Sequence, residues 1–96
     1  MKNVPFKTSD HLKTRRDIAA YLNAALEDGE PVVLLEALRN VAQAMGGIGT
    51  LAKAAGMSRE SLYRTLSRRG NPKIDTVMAL LRAMGLKLSI DQRKAA

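Results

Sequence analysis

Each apolar stripe in this 96-residue chain has helical spacing, and each is followed by glycine. That combination constrains the fold more than any other feature. Apolar side chains at i, i+3, i+4 and i+7 share one face of an α-helix, and glycine just beyond such a face favours a helix end. The first stripe is Ile18, Tyr21, Leu22, Ala25 and Leu26. Its helix begins near Asp10 or Thr14 and stops at Gly29. The second starts at Pro31, whose missing N–H costs nothing in a first helical turn. It continues through Leu34 or Leu35, Leu38, Val41, Ala42 and Met45 to Gly46 and Gly47. Two short helices follow: "IGTLAKAAG", ending at Gly56, and "SRESLYRTLSRR", before the break "GNP". Ser58 suits the N-cap of the latter, although Ser61 in place of an acid leaves the capping box incomplete. The last, "KIDTVMALLRAMG", buries Val77, Leu80, Leu81 and Met84 and closes at Gly85.

The segment "LKLSI" breaks this rhythm. Leu86, Leu88 and Ile90 alternate with Lys87 and Ser89, the period of a strand at about 86–90. A lone strand in a helical chain needs a partner, either a second copy in a dimer or an edge strand of another protein. Phe6, Tyr21 and Tyr63 are the only aromatic residues. The core is therefore built from Leu, Ala, Val, Ile and Met, which suits packed helices better than a β-sandwich. The sequence predicts an all-α fold of five helices with a short C-terminal strand. Residues 1–13 read as an N-terminal arm and 14–96 as one domain, since the length supports a single core.

Several function classes fall away. Without cysteine there are no disulfides, thiolate nucleophiles or cysteine-bound zinc, and a cytoplasmic home fits. No apolar run approaches the roughly 20 residues that span a bilayer, and the N-terminus lacks the apolar core of a signal peptide. The chain reads as soluble and intracellular. His11 is the sole histidine and the acids are scattered, so no acid–base pair of an enzyme is evident. The methionines at 1, 45, 57, 78 and 84 read as core filler. "GGIG" lacks the Lys and Ser/Thr of a phosphate-binding loop. The sequence predicts no enzyme, no metal and no cofactor.

Charge is more telling. The formal net charge is +7. Residues 1–46 hold six basic and six acidic side chains, whereas residues 47–96 hold ten basic and three acidic ones. Between Lys53 and Lys73, six basic residues face only Glu60. Such asymmetry points to a polyanion, with nucleic acid foremost. The spacing around this charge fits a DNA-binding helix-turn-helix at about 48–68. Ala52 is the small residue that lets a second helix approach, Gly56 supplies the turn, and Leu62 locks the second helix down with Leu51, Ala55 and Leu66. Residues 59–68 are then the recognition helix. Arg59, Glu60 and Ser61, near its start, are the first candidates for base contacts, followed by Tyr63 and Arg64. Ser67 lies on the same outer faces. Arg68, Arg69 and Lys73 are placed for phosphates, and Lys53 is a further backbone anchor. Arg64 also stands four residues from Glu60, where a surface ion pair contributes about 0.3–0.5 kcal/mol. A single such module binds weakly, so a homodimer on a palindromic operator is expected.

"GTLAKAAGMSRESLYRTL" followed by "GNPKIDTVMALLRAMGLKL" resembles the Xre/Cro-type helix-turn-helix, and in particular the HigA-like addiction-module antidotes. The resemblance extends upstream through "KTRRDIAAYLNAALEDGEP" and covers nearly the whole chain. It implies a five-helix, usually dimeric antitoxin that neutralises a RelE/HigB-like ribonuclease toxin and represses the shared promoter. Two positions depart from the broader pattern. Ile48 stands where glutamine is usual, and Leu66-Ser67-Arg68 replaces Glu-x-Gly. For a basic ribonuclease toxin, the candidate contacts are the acidic end of the helix running from Thr14 to Asp28, with Glu27, Asp28 and Glu30, and the arm with Phe6. For the acids, simple solvation is the competing reading. A stand-alone prophage-type repressor uses the same helix-turn-helix and is the alternative function. A membrane-surface role lacks the aromatic residues needed for insertion.

Overall fold

The computed structural model describes residues 12–93. Phe6, His11 and most of the expected arm lie outside the described residues. Five helices follow in order: α1 (Arg15–Asp28), α2 (Pro31–Ala44), α3 (Ile48–Ala55), α4 (Arg59–Thr65) and α5 (Ile74–Ala83). No strand is formed among the described residues.

Local chemistry sets the helix starts. Thr14 caps α1: its hydroxyl accepts from the Asp17 N–H at 3.0 Å, and the Asp17 carboxylate accepts from the Thr14 N–H at 3.2 Å. This reciprocal box satisfies two donors that a helix start leaves unpaired and starts α1 at Thr14; the other expected start, Asp10, lies outside the described residues. Pro31 opens α2 as its spacing requires. Ser58 caps α4, its hydroxyl accepting from the Ser61 N–H at 3.1 Å.

The helices pack in a chain of neighbours. α1 lies on α2, α2 on α3, and α3 on both α4 and α5. The resulting core is aliphatic: Ile18, Leu22 and Ala25 from α1; Leu35, Ala37, Leu38, Val41 and Ala42 from α2; Leu51 and Ala52 from α3; Leu62 and Leu66; and Leu80, Leu81 and Met84. No polar or charged residue is buried among the described residues. Leu12, which the sequence groups with the arm, also belongs to this core. Leu26 does not: it is 52% exposed, on the rim of the stripe. One polar bond ties the first two helices, with the Asn40 side-chain amide donating to the Tyr21 hydroxyl at 2.7 Å.

The expected C-terminal strand is absent within the single chain. Residues 86–93 form neither helix nor strand. The physical reason is the one the alternation itself implies: strand pairing needs a second edge, and these helices offer none.

Candidate nucleic-acid interface

Gly56 makes the turn between α3 and α4. Its φ of 74° is left-handed, and only three residues separate the two helices. The Met57 N–H bonds the Ala52 carbonyl at 2.9 Å, which closes α3 firmly before α4 begins. Ala52, 1% exposed, leaves room for α4 to approach, and Leu62 and Leu66, both at 0%, fill the space beneath it. The cluster read from spacing is thus the one that seats α4.

α4 is shorter than expected. It ends at Thr65, not at residue 68. Leu66 turns into the core, and its carbonyl is taken by the Arg39 guanidinium from α2. The Ser67 hydroxyl donates to the Arg64 carbonyl at 2.7 Å, and the Gly70 N–H to the Ser67 carbonyl at 2.8 Å. Gly70 sits so close to the end of α4 that a Cβ there would overlap the Thr65 carbonyl oxygen. Arg68 and Arg69 are therefore presented by a tight turn rather than by a helix.

The structure groups the sequence-derived candidates in two adjoining depressions. Arg59, Glu60, Tyr63 and Arg64 form a shallow one on α4. Tyr63, Ser67 and Arg68 share a cleft of about 400 Å³ with Arg39, Gln43 and Ile48. Lys53, Arg69 and Lys73 line neither cavity, although all three are exposed. Tyr63 borders both and is 68% exposed. Ser61 and Ser67 are half-buried, and the bond from Ser67 to Arg64 occupies its hydroxyl proton. Arg59 folds back over α3: its Cδ lies 3.4 Å from where a Cβ on Gly49 would stand. Glu60 and Arg64 remain exposed on α4. Arg39 and Gln43 are the residues that sequence reading missed. Both belong to α2, where the apolar stripe commands attention, and only tertiary packing brings α2 beside the end of α4.

Chemically, this face offers guanidinium and ammonium donors, one carboxylate acceptor and one exposed aromatic ring. That set suits phosphate oxygens and base edges. Among the described residues, no group of three His, Cys, Asp or Glu side chains is placed to hold a metal ion. No described helix is long and apolar enough to cross a membrane.

A family model described as "probable addiction module antidote protein" matches residues 2–92. An uncharacterised protein of Haemophilus influenzae is 36% identical over 91 residues, covering 95% of this chain and 93% of the relative. No solved structure gives a significant match.

Proposed function

The chain belongs to the addiction-module antidote family, and from that premise we propose that it neutralises a toxin and represses its own operon. In this reading α3 and α4 form an Xre/Cro-type helix-turn-helix that docks on double-stranded operator DNA as part of a homodimer. The observation that carries the DNA half is the exposure of five basic side chains, Arg59, Arg64, Arg68, Arg69 and Lys73, on and just after a helix fixed from below by Leu62 and Leu66. A rigid element bearing several cations can meet a phosphate track without first being ordered. Arg64 and Glu60 read bases, whereas Arg68, Arg69, Lys73 and Lys53 hold the backbone. Arg59 and Ser61 contribute at the start of α4, and Tyr63 packs along the groove wall.

The toxin half rests on a surface of opposite sign. Leu26, Pro31 and Leu34 line an apolar depression together with Glu30, and Glu27 and Asp28 are exposed beside it. An apolar centre with an acidic rim fits a basic partner of the RelE/HigB-like ribonuclease type. The same acids would be repelled by DNA, which keeps the two surfaces separate. A stand-alone repressor would have no use for this patch.

The deciding experiment for DNA is a mobility shift with the chain's own promoter at several salt concentrations against random competitor. Tight binding that survives competitor supports the operator reading, and weak binding equal for all sequences overturns it. Co-expression with the neighbouring reading frame tests the toxin. Glu30→Lys, at the exposed acidic rim of that depression, should release a small basic partner while leaving the DNA shift intact. Failure to find any such partner favours the stand-alone repressor.

A further inference from the structure

Beyond α5 the chain runs beside α1. Its departure point is fixed, because the Leu86 N–H is held 2.7 Å from the Leu81 carbonyl oxygen. Leu86 packs against the core, but Leu88 is 44% exposed and Ile90 is 96% exposed. Leu22, Leu26, Leu81, Leu86 and Leu88 form the apolar part of a cleft of about 210 Å³ between α1 and this segment, and Lys87, Ser89 and Asp91 stand at its polar rim. Among the described residues, 87–93 make no backbone hydrogen bond. Along the segment the uncovered apolar side chains Leu88 and Ile90 alternate with Lys87, Ser89 and Asp91, all exposed.

We propose that the same segment of a second copy covers this place, paired antiparallel about a two-fold axis through Ser89. The charge pattern selects the register. Directly opposite residues of an antiparallel pair share a face. An axis at Ser89 sets Lys87 against Asp91 of the other copy, twice, and Leu88 against Ile90, twice. Moving the axis to Leu88 leaves Lys87 facing Ser89. Moving it to Ile90 sets Lys87 against Arg93, like against like. A slip of one residue pairs Leu88 with Ser89 and mixes the two faces. The Ser89 axis alone satisfies both the charges and the apolar side chains. Each copy then supplies Ile90, 96% exposed in the single chain, opposite the other's Leu88, which lines the cleft.

This interface deepens the dimer assumed above, and its test uses neither DNA nor toxin, so the two readings can fail separately. The chain has no cysteine, so Ser89→Cys puts one thiol in each copy, at the axis. Opposed Cα atoms stand about 4.5–5.5 Å apart, within disulfide reach. Mild oxidation should therefore give a covalent dimer of Ser89→Cys. It should give none of Lys87→Cys or Asp91→Cys alone, and should crosslink those two when mixed. By sedimentation, Lys87→Asp and Asp91→Lys should each weaken dimerisation by about tenfold, because each puts like charges opposite at two places. The double exchange K87D/D91K should restore it, and circular dichroism checks that each variant is folded. No crosslink at Ser89, equal crosslinking at Lys87, or no rescue by the double exchange would overturn the register. Operator binding by a chain that fails these tests would leave the repressor reading standing.

Discussion

Arg64 and Arg39 show how two arginines in one small protein come to do different things. Arg64 is exposed on α4, and its side chain supports nothing beneath it. Arg64→Ala should therefore leave the melting temperature unchanged and weaken operator binding by about 1–3 kcal/mol, the range for a base contact. Equal affinity for mutant and wild type would remove Arg64 from the site. Arg39 is half-buried, and its guanidinium binds the Leu66 carbonyl at the end of α4. Arg39→Met keeps the stem and loses the bond. It should lower stability by about 1.5–3 kcal/mol in urea unfolding, because the hydrogen bond is charge-assisted. It should also reduce DNA affinity more than the loss of one charge would, since the turn bearing Arg68 loses its anchor. Charge could be counted along the sequence for both residues. Their roles separate only when α2 is seen lying beside α4.

At the scale of elements, α4 is the most exposed to single changes. It has seven residues, fewer than an isolated helix needs to hold itself together. Its persistence depends on the Ser58 cap, the buried leucines and the Arg39 anchor. Ser58→Ala should cost about 1 kcal/mol, visible as an earlier urea midpoint and as faster amide exchange in α4 than in α2. Exchange that rises equally everywhere would mean that α4 unfolds only with the whole domain. Most of this element was legible in advance. The Ser58 cap, the Gly56 turn and the Leu62 and Leu66 anchors all follow from residue type and spacing. Its end was not, because "LSRRG" continues a helical pattern until Leu66 must turn inward and Gly70 must pass against the Thr65 carbonyl. The start of α1 was half legible: Thr14 was one of two admissible starts, and its reciprocal bonds with Asp17 make it the cap of α1.

For the whole molecule, the governing quantities are size and charge. The chain measures 41 × 35 × 26 Å, so two copies side by side can set equivalent surfaces about 34 Å apart, one turn of B-DNA. With about four phosphates neutralised per copy, log K against log salt should fall with a slope near −3.6, doubled for the dimer. A slope near the single-copy value at protein concentrations where the dimer persists would mean that only one basic face reaches the DNA.

By itself the sequence determined the helices, their order, most of the core and the basic character of the α3–α4 region. Each of these depends on spacing along the chain or on residue type, and both are local. Tertiary structure alone decided where α4 stops, that Arg39 and Gln43 join Tyr63 and Arg68 around one cleft, that Arg59 lies back over Gly49, and that Leu12 is core while Leu26 is surface. These depend on which helices become neighbours, and distance in space between residues far apart in sequence is not encoded in any local period. The alternation at 86–90 sits between the two. The sequence marks it as a strand, and the folded chain leaves it without an edge to pair with, because the five helices supply no strand.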